Sequence, residues 1–237
     1  MDLDRDEVEY NTPEARSALI NAPAWTAGLG LGTYPEGVPR ALAEWLKRRG
    51  CAAQVTPSGG SDAPALVEHT SLALYGHVGA GKTGLGVCAL RALAAAGVGS
   101  RFVWNMVTGP GLRAAVDSGE VQGLPSPCWF ESWPRLLALH RRERWDEEGW
   151  FSLLEERVAA LMLDDVGIDA GTPFRESFLL RHIEWASDVA GRCLVLTVND
   201  QPGDWRRVFG ERVVDRLADQ RRFALVAVST PGRSSLR

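Results

Sequence analysis

The 237-residue chain has the length of one ordinary domain, and its 45% hydrophobic and 24% charged content is globular rather than disordered or fibrous. A net charge of −4 argues against a surface coated in basic charge and leaves room for a local basic patch. The four cysteines, Cys51, Cys88, Cys128 and Cys193, lie far apart and form no Cys-x-x-Cys pair, which argues against zinc and a disulfide framework and for a reducing cytoplasm.

The amino terminus is acidic (Asp2, Asp4, Asp6, Glu7, Glu9), the opposite of a signal peptide, and reads as a solvated tail. No apolar run approaches the ~20 residues of a membrane span, so no membrane is expected among the partners. Residues 21–39 are rich in Gly and Pro and read as loop. Residues 39–49 carry apolar residues at helical spacing, with Pro39 at the start and Gly50 at the end, and predict a helix. Residues 56–64 form a polar Gly/Ser/Pro linker. The pattern divides the chain into an extension over 1–65, too poor in apolar residues for a large core of its own, and a nucleotide-binding core over 66–237.

Residues 71–75 are a short apolar run suited to a buried strand, and Gly76, Gly81, Lys82 and Thr83 then match G-x-x-x-x-G-K-[ST], the phosphate-binding loop. Glycines let the backbone curl so that successive N–H groups of Gly76, His77, Val78, Gly79, Ala80, Gly81, Lys82, Thr83 and Gly84 can face a phosphate. Lys82 supplies a point charge at the β/γ oxygens, and the Thr83 hydroxyl can take a Mg²⁺ coordination site. The Ala-rich helix that starts near Thr83 aims its positive dipole end at the same anion. The 26 basic residues include only two lysines, Lys47 and Lys82, so lysine stands where a compact, flexible charge suits a phosphate cradle. ATP with Mg²⁺ is the expected ligand.

After a break at 97–99, residues 101–107 read as a strand, 111–117 as a short helix and 128–131 as another strand. Residues 133–145 predict a helix with Leu136, Leu137 and Leu139 toward the core. Its polar side carries Arg135, His140, Arg141, Arg142 and Arg144, which fits either a solvated face or contact with nucleic acid. Trp104, Trp129 and Trp133 suit base stacking or the core equally. Residues 151–157 predict a helix leading into 158–167, Val-Ala-Ala-Leu-Met-Leu-Asp-Asp-Val-Gly, an apolar strand ending in two acids. This is the Walker B pattern. It places Asp164 to hold Mg²⁺ and Asp165 to polarise the water that attacks the γ-phosphate. Residues 174–190 form an amphipathic helix with Phe178, Leu179, Ile183 and Trp185 inward. A buried strand over 193–198 leads to Asn199, a polar tip able to reach the γ-phosphate or its water. A helix over 211–220 and a strand over 223–229 follow. Strands alternating with helices define an α/β fold with a mostly parallel sheet whose ligand lies at the carboxyl ends of the strands.

These landmarks resemble the DnaC/IstB family of AAA+ ATPases, the helicase loaders and transposition helper proteins, over roughly residues 22–237. Gly-His-Val-Gly-Ala-Gly-Lys-Thr and Leu-Met-Leu-Asp-Asp-Val-Gly are close to the family's Walker A and B forms, and Leu-Thr-Val-Asn199 is similar to its sensor-1 strand. Trp205, Phe209-Gly210 and Val214-Asp-Arg216-Leu resemble the run to the arginine finger. The ending from Gly232 to Arg237 is one residue longer than the family's Gly-x-Ser-x-Arg, which leaves Arg237 open as a sensor-2 residue. The resemblance implies a P-loop NTPase of AAA+ type with five strands, a short N-terminal extension and little or no C-terminal lid, since no room for a helical lid follows Ser229. It also implies ATP hydrolysis, with Asp165 and Asn199 at the reacting phosphate and Arg216 reaching the γ-phosphate of a neighbouring subunit in trans. The alternative for Arg216 is a surface pair with Asp215 or Asp219. The implied partners are a replicative helicase or a transposase, with single-stranded DNA bound weakly. A small-molecule P-loop kinase and a non-hydrolysing adaptor are the competing classes. A kinase's substrate lid is not evident between Val98 and Pro127, and the adaptor would need a damaged Walker B or finger.

Overall fold

The computed structural model describes residues 26, 29, 31, 38–49, 51, 71–96, 128–141, 146–167, 173–189 and 191–229. The expected acidic tail, the linker, the strand and helix over 101–117, Trp104, Arg142, Arg144 and Arg237 lie outside the described residues.

In chain order the elements are α1 (Arg40–Arg48), β1 (Ser71–Tyr75), α2 (Lys82–Ala95), β2 (Cys128–Ser132), α3 (Trp133–His140), α4 (Glu147–Arg157), β3 (Ala160–Val166), α5 (Pro173–Asp188), β4 (Cys193–Val198), a 3₁₀ turn (Pro202–Asp204), α6 (Trp205–Phe209), α7 (Glu211–Ala218) and β5 (Phe223–Ala227). The five strands form one sheet in the order β2-β3-β4-β1-β5, and every pairing is parallel. Parallel strands covered on both faces have no solvated side, which is why β1, β3 and β4 read as continuous apolar runs rather than as alternations.

Alternate residues divide the core into two halves. Leu72, Leu74, Met162 and Val195 face a layer built from α1 and α2, with Leu42, Trp45, Leu46, Leu85 and Leu90 among its buried members. Ala73, Leu161, Leu163, Leu194 and Leu196 face the opposite layer with Trp133, Leu136, Phe151, Phe178, Ile183, Trp205 and Leu217. A two-residue period on each strand thus feeds a three-layer helix–sheet–helix stack. Helix α1 belongs to that stack: Leu42 and Leu46 are fully buried, and Arg49 just past its end donates to the carbonyls of Gly191 and Arg192 at 3.4 Å.

Several boundaries differ from the sequence reading by one or more residues. Helix α4 begins at Glu147, four residues before the expected start, because Asp146 caps it by accepting the Gly149 N–H at 2.9 Å and Glu147 and Glu148 fill the first turn. Helix α3 ends at His140, short of the expected 145. Strand β5 ends at Ala227 instead of 229, at the edge of the sheet. Among the described residues no helix is long and apolar enough to cross a membrane.

Candidate functional site

Strand β4 lies between β1 and β3, and this order sets the geometry of the site. The phosphate loop leaves the carboxyl end of β1, the acid pair leaves that of β3, and the tip of β4 reaches both. Gly76 opens the loop at φ 150°, where a Cβ would stand 2.2 Å from the Val228 carbonyl oxygen, so any side chain would force the backbones apart. Gly81 caps α2 at φ 87°, left-handed backbone that a side chain disfavours. His77, Val78 and Gly79 are exposed, Val78 at 80%, while Ala80 and Gly84 are buried beneath the loop.

Lys82 is 5% exposed, and its ammonium donates to the carbonyls of Gly76 at 2.9 Å and His77 at 2.8 Å. Two of its three donors are thereby aimed by the loop itself. Burial lowers the Lys82 pKa from its ordinary value, against the opposing pull of Asp165 and Asp164. One residue further on, the Thr83 hydroxyl donates to Asp164 Oδ1 at 2.9 Å, with Oδ2 at 3.2 Å. A hydroxyl and a carboxylate brought together as hard oxygen donors suit a small divalent cation such as Mg²⁺.

The two acids are separated by a bulge. Leu163 pairs with Leu196 and Val166 with Val198, so Asp164 and Asp165 together stand against the single residue Thr197. Asp165 takes φ 59°, left-handed backbone that aspartate tolerates better than most residues. Its N–H donates to the Thr197 hydroxyl at 2.8 Å, and that hydroxyl donates to Asp164 Oδ1 at 2.6 Å. Thr197 is fully buried. Asn199 Nδ2 donates to Asp165 Oδ1 at 3.2 Å. Burial raises the Asp164 carboxyl above its ordinary range, with the hydrogen bonds from Thr197 and Thr83 pulling the other way.

The sequence-predicted residues Val78, Gly79, Gly81, Lys82, Thr83, Gly84, Asp165 and Asn199 line one cleft of about 390 Å³. Asp164 stands behind Thr83. Two participants escaped the sequence reading. Thr197 was visible as the one hydroxyl in an apolar strand. Leu29, which also lines the cleft, lies in a stretch read as loop and carried no signal.

Arg216 is exposed on α7 and is not part of this cleft. Among the described residues it forms no ion pair, and Asp219, its alternative partner, is held by Arg221 at 3.1 Å and Arg222 at 3.5 Å. The basic face of α3 is partly neutralised: Arg135 stands 3.7 Å from Glu131, and His140 Nε2 stands 2.9 Å from Glu147. Trp133 is core, stacked on Phe178 at 5.6 Å, while Trp129 is half-buried.

A phosphate loop on β1, an acid pair on β3 and a polar tip on the intervening β4 define a P-loop NTPase fold. No protein-family model and no curated protein matches the sequence. Among solved structures, the chain is similar to the crystal structure of DnaI, with a TM-score of 0.57 and 16% identity over 92% of this chain and 98% of that one. It is also similar to the crystal structure of the DnaC helicase loader, with a TM-score of 0.52 and 17% identity over 87% of this chain and 100% of that one. The likeness is one of fold: the chain has a DnaC-like AAA+ fold.

Proposed function

We propose that this chain binds and hydrolyses ATP and acts as a helicase-loader-type ATPase on a replicative helicase together with single-stranded DNA. The observation that carries the ATP reading is the convergence of Lys82, Thr83, Asp165 and Asn199 on one cleft, with Asp164 behind Thr83. The loader reading is supported by the fold shared with DnaI and the DnaC helicase loader and by the sequence resemblance.

The loop N–H groups and Lys82 bind the β- and γ-phosphates, and the α2 dipole adds to their pull. Thr83 and Asp164 are the residues that would hold Mg²⁺, which when bound neutralises charge on the phosphate oxygens. Asp165 accepts the proton of the attacking water, and Asn199 orients the Asp165 carboxylate through the 3.2 Å contact. Arg216 completes the site from a second subunit, where a planar, permanently charged guanidinium meets the charge spread over the transferring phosphoryl group.

The test is ATP turnover with and without single-stranded DNA, beside phosphate transfer to nucleotides or sugars, with Lys82→Ala as control. Turnover stimulated by single-stranded DNA and lost in Lys82→Ala is expected. Phosphate transfer to a small acceptor would assign the cleft to a kinase instead. A pull-down that returns a replicative helicase supports the loader reading, and one that returns a transposase replaces it with the helper reading.

A further inference from the structure

Among the described residues that line the cleft, Leu29 alone belongs neither to the phosphate loop and its helix nor to the β3 and β4 tips. It is apolar and half-buried, and it comes from a part of the chain far from the loop in sequence. Lys82 and Thr83 fix the phosphates, and Asp165 and Asn199 face the reacting end. An apolar side chain in the same cleft suits the uncharged nucleoside part of the ligand.

Leu29 is held from below. Its N–H donates to the Thr26 carbonyl at 3.0 Å, and Thr26 is fully buried. The carbonyls of Thr26 and Leu29 accept from one guanidinium nitrogen: Arg91 Nη1 donates to Thr26 O and, at 2.9 Å, to Leu29 O. Arg91 lies on α2, nine residues beyond Lys82 and therefore roughly 13 Å further along the helix axis. The helix that presents its first turn to the phosphates thus grips, with a later turn, the segment that faces the nucleoside. These bonds carry a charge on the donor, which makes them stronger than neutral ones.

The geometry points to Arg91 as a positioning residue for nucleoside recognition: by holding the carbonyls of Thr26 and Leu29 it sets the Leu29 wall against the base and sugar of the bound nucleotide. This rests on the ATP-binding reading above. Arg91 itself does not line the cleft, so it acts through Leu29.

The experiment compares two probes, ATP and inorganic tripolyphosphate, each with Mg²⁺, by calorimetric titration of the full chain. The parent should bind ATP more tightly than tripolyphosphate, the difference being the nucleoside's share. Arg91→Ala should weaken ATP on the order of 10-fold, since a charged hydrogen-bond pair is lost, and leave tripolyphosphate within about 2-fold, since the phosphate loop is untouched. Arg91→Lys, which keeps the charge and one donor direction, should recover part of the ATP affinity. Leu29→Ser, which leaves α2 and its contacts in place, should reproduce the ATP-selective loss. Equal loss of both probes in Arg91→Ala would overturn the proposal, because Arg91 would then be supporting α2 itself. Unchanged ATP affinity in Leu29→Ser would overturn it as well. A parent that binds neither probe, or a Lys82→Ala variant that binds both as the parent does, would instead strike at the ATP-binding reading.

Discussion

The Thr197 hydroxyl donates to Asp164 Oδ1 at 2.6 Å while accepting the Asp165 N–H at 2.8 Å, so one buried side chain on β4 fixes both acids of β3. The bulge that sets two residues against one would otherwise leave the Asp165 amide without its ladder partner. Thr197→Val keeps the shape and removes the hydroxyl. Leaving a buried amide and a buried carboxylate oxygen short of a partner should lower stability by about 1–3 kcal/mol. Mg²⁺-dependent nucleotide affinity should fall with it, because among the described residues Asp164 then keeps only the Thr83 hydrogen bond to orient it. Urea denaturation and a nucleotide titration at two Mg²⁺ concentrations read the two effects. A variant as stable as the parent would mean that water replaces the hydroxyl.

The acids should separate by role. Asp165→Asn keeps the backbone amide and tolerates left-handed φ, so nucleotide binding should stay within about 3-fold, while turnover should drop by roughly 10²–10⁴ with loss of the proton acceptor. Asp164→Asn should instead weaken Mg²⁺-dependent binding, since Asp164 is the acid in contact with Thr83. Equal loss of binding in both variants would undo this division.

Much of the site was legible because its chemistry is local. The phosphate loop is a run of consecutive residues, and the Walker B acids end a strand whose two buried faces leave an unbroken apolar run from Ala160 to Leu163. Thr197 was not legible, because its part depends on β4 lying between β1 and β3, which no stretch of sequence states. Leu29 was hidden for a related reason: a Gly- and Pro-rich segment has no periodicity, and its place is set by Arg91, 62 positions away in sequence. The start of α4 was hidden because it is set by a side-chain cap, the Gly149 amide on Asp146, rather than by apolar periodicity. Trp133 could not be assigned to core or surface until the packing of α3 on Phe178 was known.

Arg216 should act only between subunits. It is exposed, unpaired among the described residues and absent from its own chain's cleft. ATPase activity per chain should therefore rise with protein concentration, and Arg216→Ala should bind ATP normally yet turn it over roughly 10³-fold more slowly, as loss of such a finger does in other NTPases. Mixed in equal amounts with Lys82→Ala, it should recover roughly a quarter of the parent's rate if head-to-tail pairing is random. Turnover that is independent of concentration and indifferent to Arg216→Ala would place the whole active site within one chain.

His182 should make stability fall in mild acid. It is fully buried on α5 between two hydrogen bonds: Nδ1–H donates to the Phe178 carbonyl at 2.8 Å, and Nε2 accepts the Trp150 indole N–H at 3.0 Å. That arrangement fits one neutral tautomer, and a proton on Nε2 would set two N–H groups against each other. The rings of Trp133, Phe151 and Phe178 surround it, with Phe151 at 4.8 Å. Burial pushes its pKa down from 6.5 to about 4, helped by the Arg181 charge and opposed by the Phe178 carbonyl and Glu147. The unfolded chain therefore binds a proton that the folded chain refuses between those two values. The stabilisation is fully present above about pH 6.5 and is lost progressively as pH falls toward 4, by roughly 3 kcal/mol in all. His182→Gln keeps an acceptor for Trp150 and cannot be protonated. Burial of other carboxylates, among them Glu131 and Asp164, gives both proteins further pH dependence, so the informative quantity is the difference between them. Urea midpoints measured from pH 7 to 4.5 should fall more steeply for the parent than for His182→Gln. Parallel curves would mean that the imidazole finds a way to hold its proton inside the aromatic cluster.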